Sequence, residues 1–368
     1  MKIGIDARLY GPKHTGIGRY VQELVSQLIP LSPKDQFIIF GDPKLLSDLE
    51  SFSNVTIVPL KTPIYSLAEQ LINPFIFYSH HLDLLHVPHF NAPLLYFKKT
   101  IITVHDLIKH LSTGPDTTTL PSWQYHIKHL AYRFLINRNL KTSTAIITPS
   151  HYWKNYLITQ LKVPSAKIFV TYEAVNANLK PVDTPDKSLL KKYSLKKPYI
   201  IYTGNLYPHK NVNLLIKAVN SFNANHSLNL KLGIIAGRSA FHKRVAKSDA
   251  IIPLGYVPDQ DLPHIYAQAL ALVQPSLIEG FGLTGLEAMK LKTPVVSSNA
   301  TCLPEVYGQA ALYFDPYDQQ DLEEKLSWIV KEHDLRQRLI DRGQSHVTGF
   351  SWTKTARQTL KAYKYAFK

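Results

Sequence analysis

Short apolar, β-branched runs alternate along the chain with longer stretches whose apolar positions recur every third or fourth residue. A strand covered on both faces reads as a continuous apolar run, and a crossover helix shows the 3.6-residue period. The alternation therefore predicts parallel sheets clothed in helices. The first series of predicted strands is Lys2–Asp6, Gln36–Phe40, Val55–Leu60, Leu84–His86, Thr100–Val104 and Ala145–Thr148. In the connection 17–29, Tyr20, Leu24 and Leu28 mark one helical face. A second series starts near Tyr199, with strands Tyr199–Thr203, Leu230–Ala236, Ile251–Leu254, Ala271–Gln274, Pro294–Ser297 and Ala311–Phe314. The polar, proline-containing stretch 176–197 between them reads as a linker. Two Rossmann-like, doubly wound α/β domains are expected, over residues 1–178 and 179–352, with ligands beyond the carboxyl ends of the strands.

A length of 368 residues suits two cores, and 45% hydrophobic with 19% charged residues is globular composition. With one cysteine, Cys302, no internal disulfide can form, and a reducing compartment fits. No signal-like segment opens the chain, and no apolar run approaches the roughly 18 residues that span a bilayer. A cytoplasmic protein is expected, with peripheral contact to an anionic membrane face left open. The net charge of +15 is shared between the halves, +6 over residues 1–178 and +9 over 179–368, and points to anionic partners. Nothing resembles a zinc finger or a nucleic-acid-binding aromatic box, so no nucleic-acid partner is expected.

The strongest chemical signal is the segment 275–289, PSLIEGFGLTGLEAM, between the strand predicted at 271–274 and a helix predicted at 286–291. Gly280, Gly282 and Gly285 let backbone approach a ligand, and the helix start favours an anion such as a diphosphate. Glu279 and Glu287 are acceptors suited to sugar or ribose hydroxyls; a capped turn with two solvated carboxylates is the alternative. Gly16-Ile-Gly18 is a second turn where backbone can approach a ligand, though a plain turn explains it as well. The dinucleotide fingerprint would need Gly where Val21 stands, and no acidic residue ends the strand 36–40, which disfavours an NAD-dependent oxidoreductase.

His105 closes the strand 100–104 at the rim where a cleft residue belongs, and His86 and His89 flank a similar strand end. Asp259-Gln-Asp261 spells a D-x-D, but it precedes a helical stretch beginning at Leu262. Asp259 therefore reads as an N-cap and Asp261 as a first-turn acid, and no metal site is expected. In 121–141, Trp123, Ile127, Leu130 and Phe134 share one helical face, with Lys128, Arg133 and Arg138 elsewhere. Packing of that face on the sheet is the favoured reading; a helix resting on anionic headgroups is the other.

A Glu, seven residues and a second Glu, with Gly-Phe-Gly after the first, resembles the donor motif of glycosyltransferase family 4. Four further segments resemble family motifs and occur in family order: Gly16–Tyr20, Thr103–Leu107, Thr203–Asn211 and Gly255–Leu262. The resemblance implies the GT-B fold, two Rossmann-like domains facing across a cleft, with the last helix (353–368) returning to the first domain. It implies a retaining transferase that moves a sugar from a nucleotide-diphosphate sugar to a glycan or lipid-linked acceptor, in bacterial surface polysaccharide or lipopolysaccharide assembly. No cofactor or metal is expected. Glu279 would contact the transferred sugar, Glu287 the ribose, and the amides of Phe281, Gly282 and Leu283 the sugar and diphosphate. Lys210 would neutralise the leaving β-phosphate, and His105 would contact the donor sugar. Gly16, Gly18, Gly204, Asn205, Arg238, Tyr256, Val257 and Gly280 complete the expected donor site. Asn205 stands where the family usually has Arg, which removes one charge from the expected phosphate clamp. A GT-B enzyme of another reaction class, or a non-catalytic nucleotide-sugar-binding subunit, would share these motifs.

Overall fold

The computed structural model of the chain describes residues 1–11, 15–226, 228–237, 241 and 245–368. The chain divides into two units. One gathers Met1–Leu107, Leu120–Glu173 and Ser351–Lys368; the other gathers Ile108–Thr119 and Ala174–Phe350.

Among the described residues, the first unit is built on seven strands: β1 (Lys2–Asp6), β2 (Gln36–Gly41), β3 (Val55–Pro59), β4 (Leu84–Val87), β5 (Thr100–Thr103), β6 (Ala145–Thr148) and β7 (Ile168–Val170). Their order is β3-β2-β1-β4-β5-β6-β7, and every pairing is parallel. The second unit holds β8 (Tyr199–Thr203), β9 (Lys231–Ile235), β10 (Ile251–Gly255), β11 (Leu272–Gln274), β12 (Val295–Ser298) and β13 (Ala311–Phe314). These are parallel in the order β10-β9-β8-β11-β12-β13. Both units are the doubly wound sheets expected from the apolar runs. In each the chain works outward from the first strand and then returns to its other side. Connections leave β1 and β4, and likewise β8 and β11, in opposite directions, which opens a crevice at the carboxyl ends of those strands.

The final helix, Trp352–Phe367, belongs to the first unit, where it packs on the helix Thr15–Leu31 and across β4 to β7. Its inward face buries Trp352, Ala356, Ala362 and Tyr363, and Thr355 donates to the carbonyl of Tyr172. Ser351 caps it by accepting from the amide of Lys354.

Several local expectations are corrected. The strand β7 escaped the apolar pattern because it is three residues long and lies at the sheet edge. The helix beginning at Leu262 ends at Tyr266; its N-cap position is Asp261 rather than Asp259, and the Asp261 side chain makes no capping hydrogen bond. The carboxylate of Asp261 instead accepts from Lys192 Nζ (2.7 Å) and Tyr193 Oη (2.6 Å). The helix Ser122–Thr142 turns the opposite way from the favoured reading: Trp123, Ile127, Leu130 and Phe134 are 64, 61, 72 and 64% exposed. Its inward face is the other side, with Ile136, Asn139 and Leu140 buried and Tyr132 in edge contact with Phe90. Among the described residues, no helix is long and apolar enough to cross a membrane.

Candidate active site

In the second unit the crevice lies between β8 and β11, and the two strongest motifs enter it from those strands. After β8 the backbone turns at Gly204 (φ +152°), where a Cβ would stand 2.9 Å from Tyr202 Oη. A short 3-10 turn, Pro208–Lys210, then Asn211 in the left-handed region (φ +56°) start the helix Val212–Asn225. This places Lys210 over the end of β11. Its ammonium donates to both oxygens of Glu279, at 2.8 and 2.7 Å.

Glu279 is held from β11 itself. Gln274 Nε2 (2.8 Å) and Ser276 Oγ (2.6 Å) both donate to its carboxylate, and its amide donates to Thr301 Oγ1 (3.2 Å). Burial would push this carboxyl up, but the Lys210 charge and the hydrogen bonds of Lys210, Ser276 and Gln274 hold it below the ordinary carboxylate value. Burial, then the neighbouring Lys210 charge, lowers His209 to about 4, so its ring is neutral beside that ammonium.

The helix Leu283–Lys290 starts three residues earlier than its apolar pattern indicates, because Gly282 (φ +95°) serves as its N-cap. A Cβ on Gly282 would lie 2.6 Å from Tyr307 Oη, and one on Gly285 would lie 2.3 Å from Tyr307 Cζ. The single Tyr307 hydroxyl proton is shared between the carbonyl of Gly282 and Gln274 Oε1. These two glycines are thus required by the aromatic wedge beneath them, a reason the sequence did not disclose. Phe281 is buried beside Phe350, Gly280 is half-buried, and Leu283 opens the helix. Glu287, half-buried on the helix, lies close enough to help burial push the Tyr266 phenol up.

At the outer end of the sheet, Tyr256 is exposed and Val257 buried just beyond β10. Asn205 is exposed, and its Oδ1 accepts from the amide of Tyr207 (3.4 Å). Arg238 lies outside the described residues. Among the described residues, no three His, Cys, Asp or Glu side chains gather as a metal site would require.

Gly16, Gly18 and His105 belong to the first unit. Gly16 is exposed near the start of the helix Thr15–Leu31; the carbonyl of the buried Gly18 accepts from Gly11 (3.3 Å). His105, one residue past Val104, faces two acceptors: Glu173 Oε1 at 3.2 Å from Nδ1 and the Pro88 carbonyl at 3.1 Å from Nε2. Only the imidazolium can donate to both. Burial opposes that charge, but Glu173, the Pro88 carbonyl and Asp106 outweigh it and raise the pKa. His86 does not line a rim: it is fully buried, with Nδ1 on Tyr363 Oη (2.7 Å) and Nε2 on Thr103 Oγ1 (2.9 Å).

The crevice beside β1 and β4 carries a polar cluster that the motif reading missed. Arg8 donates to Asp6 (2.8 and 2.6 Å), to Glu69 (2.5 Å) and to the Thr62 carbonyl (3.0 Å). Asn91 donates to Glu69, and its own Oδ1 is buried with no hydrogen-bond partner among the described residues. The one sequence signal for it was an acid and an arginine at the end of the first strand.

Residues 14–179 match the family model described as Glycosyltransferase Family 4, and residues 187–346 match that of Glycosyl transferases group 1. The chain belongs to glycosyltransferase family 4. This family 4 glycosyltransferase is 28% identical to O-antigen chain mannosyltransferase B of Escherichia coli, over 95% of this chain and 96% of that one. It is 30% identical to O-antigen chain mannosyltransferase RfbU of Salmonella typhimurium, over 63% of this chain and 60% of that one. Its fold matches a glycosyltransferase from Rickettsia africae (TM-score 0.73, 17% identity, covering 100% of this chain and 98% of that one). It likewise matches Anabaena HepE in complex with UDP and glucose (TM-score 0.72, 17% identity, covering 99% of each chain). The fold of the family 4 enzyme is therefore GT-B.

Proposed function

We propose that this glycosyltransferase moves a mannosyl residue from a nucleoside-diphosphate sugar to a growing glycan or lipid-linked acceptor, in the assembly of a bacterial surface polysaccharide. The observation that carries the reading is the Lys210–Glu279 pair at the crevice between β8 and β11. The O-antigen mannosyltransferases among its relatives support the choice of sugar and pathway class.

In this reading the diphosphate lies at the start of the helix Leu283–Lys290, against the amides of Phe281, Gly282 and Leu283, where the helix dipole favours negative charge. Lys210 turns from Glu279 to the β-phosphate, where charge grows as the sugar leaves, and lowers the barrier there. Glu279 then takes sugar hydroxyls and Glu287 takes the ribose. For His105 the assignment to the donor sugar rests on the motif Thr103–Leu107 alone. Transfer is with retention and without a metal: the departing diphosphate deprotonates the acceptor on the face it leaves. Glu279 fits a positioning role, because its carboxylate is saturated by three donor side chains.

The test is a thermal-shift screen against GDP-, UDP- and dTDP-sugars, followed by transfer assays. A bound donor at 100 times its dissociation constant stabilises by about 2.7 kcal/mol. Glu279→Ala should cut turnover by about 10² or more while circular dichroism stays unchanged. No shift with any donor, or full activity of Glu279→Ala, overturns the reading.

A further inference from the structure

The outward face of the helix Ser122–Thr142 has an apolar stripe that the described residues leave 61–72% exposed. Trp123, Ile127, Leu130 and Phe134 are spaced four, three and four residues apart, so they stand in one line along the helix. They lie opposite the buried Ile136 and Leu140. A second exposed apolar side chain, Phe97 (74% exposed), is tied to the end of this helix. Arg138 places its guanidinium 5.5 Å from the Phe97 ring centre and donates to the carbonyl of Leu94. Leaving four large apolar groups of one helix in water is unfavourable and marks a surface that is covered in use.

The charge on this surface indicates the cover. The helix carries Lys128, Arg133, Arg138 and Lys141 and no acidic residue, and Lys98 and Lys99 follow Phe97. Around the helix, Arg133 and Arg138 fall on the two flanks of the stripe, and Lys141 continues its line. A second copy of the chain would set like charges against one another across such a face, which is destabilising. A nucleic acid would find the cations, but Ile127 and Leu130 at the centre of the line offer its bases no ring to stack on. A bilayer with anionic headgroups satisfies both: the apolar stripe enters the boundary between headgroups and acyl chains, while Lys and Arg stay at the phosphates.

We propose that the outward face of the helix Ser122–Thr142, with Phe97 at its end, is the surface on which this protein docks to anionic phospholipid bilayers. The inference does not depend on the sugar or on the donor-site assignments, and its test is separate from theirs. The full chain is sedimented with vesicles of phosphatidylcholine alone, and with vesicles in which about one third of that lipid is phosphatidylglycerol. Binding is expected to the anionic vesicles, weakening as salt rises past about 0.1 M, where the Debye length is about 10 Å. The double variant Ile127→Glu, Leu130→Glu should lower the partition coefficient at least tenfold. Because both residues are exposed, its melting temperature should match the wild type. Arg133→Glu with Lys141→Glu should do the same through charge. Trp123 emission should shift to the blue on vesicle binding, and that shift should vanish in Trp123→Phe. The proposal is overturned if the first double variant binds as tightly as the wild type, or if neutral vesicles bind equally well. A wild-type chain that ignores both vesicles and forms a dimer broken by the same variant would equally refute it.

Discussion

His86 lies within β4 and His105 just beyond the neighbouring β5, yet their pKa values move in opposite directions. His86 meets two hydroxyls, which a neutral ring can satisfy by donating once and accepting once; burial, then the charge of His105, takes it down to about 3. His105 meets two oxygens that only accept, which favours the imidazolium and raises its pKa. Its raised pKa ties stability to pH: the contribution is complete below the ordinary value of 6.5 and is lost as pH rises through the raised value. The wild type should therefore exceed Glu173→Gln in melting temperature by more at about pH 6 than at about pH 9, as read by calorimetry in matched buffers. An equal gap at both would mean that the pair does not govern the charge of His105. At this scale the motifs singled out Glu279 and Lys210, which the fold pairs, and His105, because each keeps a fixed neighbour pattern in the chain. They could not disclose Gln274 and Ser276 as ligands of Glu279, or Arg8 as partner of Glu69. Those contacts depend on the closed fold, and the last spans 61 positions of sequence.

The elements were legible where burial is two-sided. Twelve of the thirteen strands among the described residues fall within a residue or two of an apolar run. The faces of helices were less legible. In 122–142 apolar or aromatic residues occupy both sides, so the period shows a helix without showing which side meets the sheet. At the donor segment, the turn from β11 into the helix Leu283–Lys290 is fixed from below by Tyr307. Gly285→Ala would drive a methyl against that ring and should destabilise the protein by about 1–3 kcal/mol, an overpacking cost. Gly16→Ala, with none of the described residues within 4 Å of the added Cβ, should leave the melting temperature unchanged or slightly higher. Urea titration of the two variants side by side separates these outcomes, and a silent Gly285→Ala would remove Tyr307 as the gauge of the turn.

Across the whole molecule, the two doubly wound sheets followed from the alternation of periods, but the discontinuity of the first unit did not; only the family resemblance implied that the last helix returns to it. The residues Ser351–Lys368 complete a unit otherwise made from the opening half of the chain. A chain ending at Phe350 would leave β4 to β7 uncovered on one face and His86 without Tyr363. Such a chain should keep a cooperative transition for the second unit and lose that of the first, giving a single reduced calorimetric peak where the intact protein shows both contributions. The same feature has a consequence in time. At synthesis rates of roughly 5–20 residues per second, the helix Trp352–Phe367 emerges on the order of ten seconds or more after β7. During that interval the second unit can fold to completion while the first waits with an open apolar face, and that waiting period is when a nascent chain of this kind most needs a chaperone.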